Sequence, residues 1–147
     1  MQAMQNPRGR TLRRIACKQA PTKERSNSGH RELALVWSNA PELAPGIFTS
    51  VCPSRDADLP PPGFAEIAAL YIHPASWSTG CGRALCQAAL AHLRQTPAQT
   101  VTVWVLAANA RARQFYERIG FAADDAKKDV TMFSTILPEI RYRQSLR

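Results

Sequence analysis

One change of apolar period, made through glycine, constrains this chain more than any other feature. Phe64–Ile72 (FAEIAALYI) is a largely apolar run with Glu66 as its one charge, and it closes on His73-Pro74. A run of that length bounded by turn residues reads as a buried strand. The polar segment ASWSTGCG follows, with Gly80 and Gly82. From Arg83 the apolar residues recur at helical spacing, with Leu85, Ala89 and Leu93 in one stripe and Cys86 and Leu90 beside it. Val101–Leu106 (VTVWVL) is then a β-branched run of the kind found where both faces of a strand are covered. Strand, loop, helix and strand in that order imply a crossover that sets the two strands parallel.

The flanks imply antiparallel pairing. Leu33–Trp37 and Ile47–Val51 read as a hairpin about a turn at Asn39–Gly46. Pro53–Gly63, with Pro60, Pro61 and Pro62, is a loop, because consecutive prolines remove ladder donors. Asn109 is placed to cap a helix carrying Ala112, Phe115, Tyr116 and Ile119, and Gly120 is placed to end it. A short strand begins at Phe121. Val130–Ile136 and Glu139–Arg143 read as a terminal hairpin around Pro138. The expected fold is therefore α/β, a mixed sheet around a central strand–helix–strand–helix unit.

Charge bears on partners. The net charge is +8, but residues 1–31 carry eight basic side chains against Glu24, which leaves +1 for the rest. The division expected is a basic, partly disordered leader over 1–31 and a folded domain over 32–147, with Thr11–Ala20 able to form a short helix. A polyanion-binding arm is one reading of the leader. Nucleic acid ranks last among the partners, because no aromatic residue interleaves the basic ones for base stacking. The leader has no apolar core of the secretory type, and no apolar run is long enough to span a bilayer, so a cytoplasmic protein without a membrane partner is expected. The four cysteines show no C-x-x-C pair, which leaves a metal site without support and the thiols reduced. Cys86 reads as a small apolar residue on a helix.

Glycines that open a helix let backbone amides and the positive end of the helix dipole converge on an anion. Gly80-x-Gly82 alone is weak evidence. No Gly-Lys-Ser/Thr follows it, and Leu85 stands where a dinucleotide fingerprint needs glycine. The wider pattern is specific. ALYIHP at 69–74, Gly80-x-Gly82-x-x-Leu85, and Asn109-x-x-Ala112-x-x-x-Tyr116-x-x-x-Gly120-Phe121 resemble the GNAT superfamily of N-acetyltransferases, in order and in spacing. Gly46-Ile47 and the ending LPEIRYR fit it as well.

The resemblance implies acetyl-CoA as cofactor and an amine as acceptor. It implies a pyrophosphate held by amides near Ser78, Thr79, Gly80, Gly82 and Arg83. It implies a pantetheine arm pairing with Leu70, Tyr71 and Ile72, between strands that splay to admit it. Asn109 would touch that arm, and Tyr116 would serve the departing thiolate with a proton or hydrogen bond. Glu66, the lone carboxylate beside that site, is the candidate base. Tyr116 as a core residue, Asn109 as a cap only and Glu66 as an arginine partner are the rival readings. Arg111 and Arg113 are within sequence reach of a CoA phosphate, and Asp56 and Asp58 are available to a cationic amine. Trp77 and Thr79 stand where the family often has polar or basic residues. Residues 1–32 do not resemble the family's opening strand and helices, so the N-terminal region is atypical and short. A CoA-binding module without turnover is the alternative function, and a homodimer would cover the sheet surface so exposed.

Overall fold

The computed structural model describes residues 33–36 and 48–147. The leader, the short helix at 11–20 and the turn at 39–46 lie outside the described residues. The elements are β1 (Leu33–Val36), β2 (Phe48–Pro53), β3 (Phe64–Tyr71), α1 (Cys81–Leu93), β4 (Thr100–Leu106), α2 (Ala110–Arg118), β5 (Ala122–Met132) and β6 (Thr135–Ser145). They build one six-stranded sheet in the order β1-β2-β3-β4-β6-β5. Only β3 and β4 are parallel, joined by the crossover through α1, so the sheet is mixed as expected.

The β3–β4 pairing is short. Phe64, Ala65 and Glu66 face Thr100, Val101 and Thr102, and the ladder stops there although both strands run on. The cause lies on the other edge of β3. Ser50 of β2 faces Ala69 and Val51 faces Ile67, so Ala68 is an extra residue on β3. Such a bulge bends its strand and adds twist. Beyond Glu66, β3 therefore leans away from β4 and leaves a fork.

Both helices pack on one face. Leu85, Cys86, Ala89, Leu90 and Leu93 of α1 are buried. Cys86, Ala89, Leu90 and Leu93 share a core with Ile67, Val101, Val103, Val105, Tyr142, Tyr116 and Phe121. Burial pushes the Cys86 thiol up to about 12, so it is an inert filler. Tyr142 fastens α2 to the sheet, since its hydroxyl donates to Glu117 Oε1 at 3.0 Å and accepts from Arg113 Nε at 3.0 Å. Gly120 ends α2 at φ 99°, where a Cβ would also come 2.7 Å from Gln144 Nε2.

Two sequence expectations need correcting. Helix α1 begins at Cys81, two residues before Arg83, because Gly80 in the left-handed region starts the helix itself. The last hairpin turns at Phe133–Ser134, not at Pro138. Both turn residues have positive φ (49° and 64°), and Met132 faces Thr135, which is the two-residue turn whose twist matches antiparallel strands. The usual Asn-Gly signal is missing, so the turn is invisible in sequence. Pro138 sits inside β6, where its carbonyl accepts from Ala107 N–H at 2.8 Å. Its nitrogen shares that flank, past the end of β4, so the ladder loses no donor there.

The face away from the helices is organised by Arg141 of β6. Its buried guanidinium donates to Asp124 Oδ2 (2.9 Å), Asp56 Oδ2 (3.1 Å), Asp58 Oδ1 (2.9 Å) and Asp58 Oδ2 (2.7 Å). Trp104 Nε1 adds a bond to Asp56. The loop between β2 and β3 is thus tied to the far half of the sheet. Arg141→Ala would strand the buried Asp124 carboxylate and strip the half-buried Asp56 of its cation, so chemical denaturation should show a loss of about 3 kcal/mol. The tie is also pH-dependent. The hydrogen bond from Arg141, aided by its charge, holds the Asp58 carboxyl below its ordinary 3.8. The contribution of Asp58 should therefore be complete above that value and fade as pH falls through the lowered folded-state value, in acid titrations that compare wild type with Asp58→Asn.

Candidate active site

The segment from Ile72 to Gly82 is shaped by its own side chains. His73 Nδ1 accepts from Ala75 N–H at 3.2 Å, so His73 is a turn residue. Trp77 Nε1 donates to the Ile72 carbonyl at 2.8 Å, and the Thr79 hydroxyl donates to the Ser76 carbonyl at 2.6 Å. Ser78 and Gly80 take positive φ (60° and 90°). The result is a run of amides with no inward partner. Among the described residues, none of the N–H groups of Ser78, Thr79, Gly80, Cys81, Gly82 and Arg83 meets an acceptor, and the first such bond of the helix runs from Ala84 N–H to the Gly80 carbonyl. Six successive free donors at a helix N-terminus suit a pyrophosphate.

One cation stands over this cradle. Arg111, in the first turn of α2, lies 4.1 Å over the Trp77 ring, with Nη2 3.4 Å from Ser78 Oγ. Arg113 does not join it, because it donates to the Tyr142 hydroxyl and to the Ala107 carbonyl. The charge that Trp77 and Thr79 do not supply thus comes from the next helix.

The fork opens beside the cradle. Leu70 and Tyr71 lie on the part of β3 that β4 no longer pairs with, and Ile72 follows directly. Main-chain groups facing such a gap need partners from elsewhere, and the amides of an extended pantetheine arm have the donors and acceptors to pair with them. Asn109 caps α2 by its Oδ1 accepting from Ala112 N–H at 3.0 Å, which leaves its side-chain Nδ2 without a partner among the described residues. Tyr116 is buried, edge-on to Phe115 (5.2 Å) and Phe121 (5.4 Å). Burial, with the nearby Cys86, pushes its phenol well above the ordinary value of 10.0. Tyr116 therefore belongs to the core stripe and also presents a hydroxyl that keeps its proton.

On the other face, Glu66 is 3% exposed, and Arg55 grips both its oxygens, Nη2 to Oε1 at 2.6 Å and Nε to Oε2 at 3.1 Å. The pair lines a cleft of about 430 Å³ at the closed end of the fork, with Ile67, Ala68, Trp104, Lys128, Asp129, Val130 and Glu139. Arg55, Trp104, Lys128 and Glu139 are additions to the residues expected from sequence. Trp104 was within reach of the period-2 rule, since it alternates with Val103 and Val105 and so faces away from the helices. Asp56 and Asp58 need correcting as free acceptors for a cationic amine, because Arg141 engages both.

The family model described as the acetyltransferase (GNAT) family matches residues 21–121, more than half of the chain, and the chain belongs to that family. Over 83 residues it is 36% identical to mycothiol acetyltransferase of Cellulomonas flavigena, a match that covers 55% of this chain and 24% of that protein. The chain spans about a quarter of the length of the curated relatives it matches. Its fold is similar to yncA of Salmonella typhimurium, solved with its cofactor acetyl-CoA (TM-score 0.63, 20% identity, 79% of this chain and 65% of that one). It is also similar to the ribosomal-protein-S18-alanine N-acetyltransferase of Escherichia coli (TM-score 0.62, 19% identity, 79% and 71%).

The two loop glycines make a controlled comparison. A Cβ at Gly80 meets nothing within 4 Å, but its φ of 90° is one that L side chains rarely adopt. A Cβ at Gly82 has ordinary φ and meets Phe115 Cε2 at 3.4 Å. Denaturation should show Gly80→Ala losing about 1–2 kcal/mol through backbone strain alone, with Gly82→Ala costing less. Equal losses would contradict the assignment of Gly80 to conformation.

Proposed function

We propose that this chain is an acetyl-CoA-dependent N-acetyltransferase that moves an acetyl group directly to a primary amine of a small molecule or protein. The observation that carries the reading is the string of unpartnered amides from Ser78 to Arg83 opening straight onto the β3–β4 fork. When bound, acetyl-CoA supplies the acetyl group as a thioester. The chain's own groups do the rest. Amides of Ser78, Thr79, Gly80, Gly82 and Arg83 hold the pyrophosphate, and Arg111 neutralises charge beside them. Leu70, Tyr71 and Ile72 offer main-chain bonds to the arm, and the Asn109 amide adds a donor. Unpaired β3 amides in the fork polarise the carbonyl that is attacked.

Tyr116 donates a hydrogen bond to the departing sulfur. Its raised phenol value suits that role, since burial keeps the hydroxyl protonated from neutral pH into the alkaline range where a primary amine loses its proton. Glu66 receives the amine's proton, directly or through water, on a carboxylate that Arg55 holds in place. The acceptor reaches the cleft from the face opposite the helices.

The test is thiol release from acetyl-CoA with a panel of amines, alongside the melting temperature. Acetyl-CoA should raise the melting temperature and at least one amine should release thiol. Tyr116→Phe should cut turnover about 100-fold while leaving the thermal shift in place. A thermal shift without any thiol release would mark a CoA-binding module instead. If neither response appears, the reading is overturned altogether.

A further inference from the structure

The cleft at the closed end of the fork already holds an amine, and it is the chain's own. Lys128 on β5 places Nζ 4.0 Å over the Trp104 ring, and its cross-strand partner Glu139 brings Oε2 to 3.9 Å from that nitrogen. Trp104 stands on β4 just beyond Thr102, the last residue paired to β3. Glu66, Ile67 and Ala68 form the opposite wall, at and just beyond the last β3 residue so paired. An acyl group delivered through the fork emerges between these walls. The Lys128 nitrogen therefore lies in the cleft through which an incoming amine would approach that group.

Neighbouring Lys127 is an internal control. It carries the same charge and is exposed like Lys128, but successive strand residues point to opposite faces, and it is absent from the cleft. Cation–π attraction and the Glu139 carboxylate together limit where the flexible Lys128 side chain can put its head group. Holding a nucleophile near its electrophile is worth a large effective concentration.

We propose that Lys128 is a site of self-acetylation, an intramolecular transfer from acetyl-CoA bound in the fork; this rests on the function proposed above. The Lys128 ammonium gives a proton to Glu139 through one water, since 3.9 Å is beyond a direct hydrogen bond, and the freed nitrogen attacks the acyl carbon. A C–N bond forms, the C–S bond breaks, and the sulfur leaves with its electron pair as the CoA thiolate. One ammonium and one thioester give one amide, one thiol and one proton. The product side chain is neutral, so its hold on Trp104 and Glu139 is lost and the aromatic face is released to other amines.

The test incubates the full chain with acetyl-CoA and maps acetylation by peptide mass spectrometry, with the thermal shift recorded in parallel. Lys128 should be modified at least about tenfold faster than Lys127, by a first-order process whose rate is unchanged on dilution of the protein. A readout independent of transfer uses CoA without an acetyl group. Its binding should slow labelling of Lys128 by an amine-directed N-hydroxysuccinimide ester and leave Lys127 unaffected. If acetyl-CoA raises the melting temperature and an added amine releases thiol, but both lysines react alike or the rate scales with protein concentration, self-acetylation is overturned and the transferase reading stands. If acetyl-CoA produces neither a thermal shift nor thiol release with any amine, the transferase reading falls, and this inference falls with it.

Discussion

The early parting of two parallel strands is the constraint on which the site depends. A sheet normally satisfies its main chain by continuing its ladders. Here the single extra residue Ala68 turns β3 aside after three pairs with β4, and both strands continue without each other. The gap exposes main-chain donors and acceptors in the middle of the sheet. It also divides the surroundings, with the cradle of free amides, Asn109 and Tyr116 on the helix side and the cleft with Glu66, Trp104 and Lys128 on the other. A bond made or broken inside the fork is thus reached by different side chains from each side.

Keeping a fork open requires the strands to be fixed elsewhere. On the helix face this is done by close packing, with Ile67, Val103 and Val105 against α1, Tyr116 and Phe121. On the other face it is done by charge. Arg141 gathers Asp56, Asp58 and Asp124, and a bulge in β5 with Asp125 at φ 67° brings Asp124 toward it. Three carboxylates hold the guanidinium charge above its ordinary range. The same network orients Trp104 through Asp56 and so shapes the wall on which Lys128 rests.

Much of this was legible in the residues. The period change at Gly80–Gly82 placed α1 and the crossover, and the run VTVWVL placed β4 in the interior, because hydrophobic periodicity and glycine punctuation act locally. Asn109 and Gly120 fixed the ends of α2 for the same reason. What was not legible depends on contacts distant in sequence. The Arg141 network joins residues more than eighty positions apart, and nothing local distinguishes Arg141 from a solvated arginine. The turn at Phe133–Ser134 carries none of the residues that favour positive φ, while Pro138, a strong local signal, misleads because its missing donor falls past the end of β4. Lys128 reads as one of two adjacent surface lysines until the register of β5 against β6 sets it opposite Glu139.

The proposed role of the amides from Ser78 to Arg83 is to hold the anionic part of a cofactor, which is why the fold leaves them unpartnered. Amide hydrogen exchange with and without acetyl-CoA tests it most directly. These amides should exchange rapidly in the free protein and show the largest gain in protection on addition of acetyl-CoA, ahead of the already paired amides of β4 and β6. Protection that arises elsewhere while Ser78–Arg83 stay fast would contradict it.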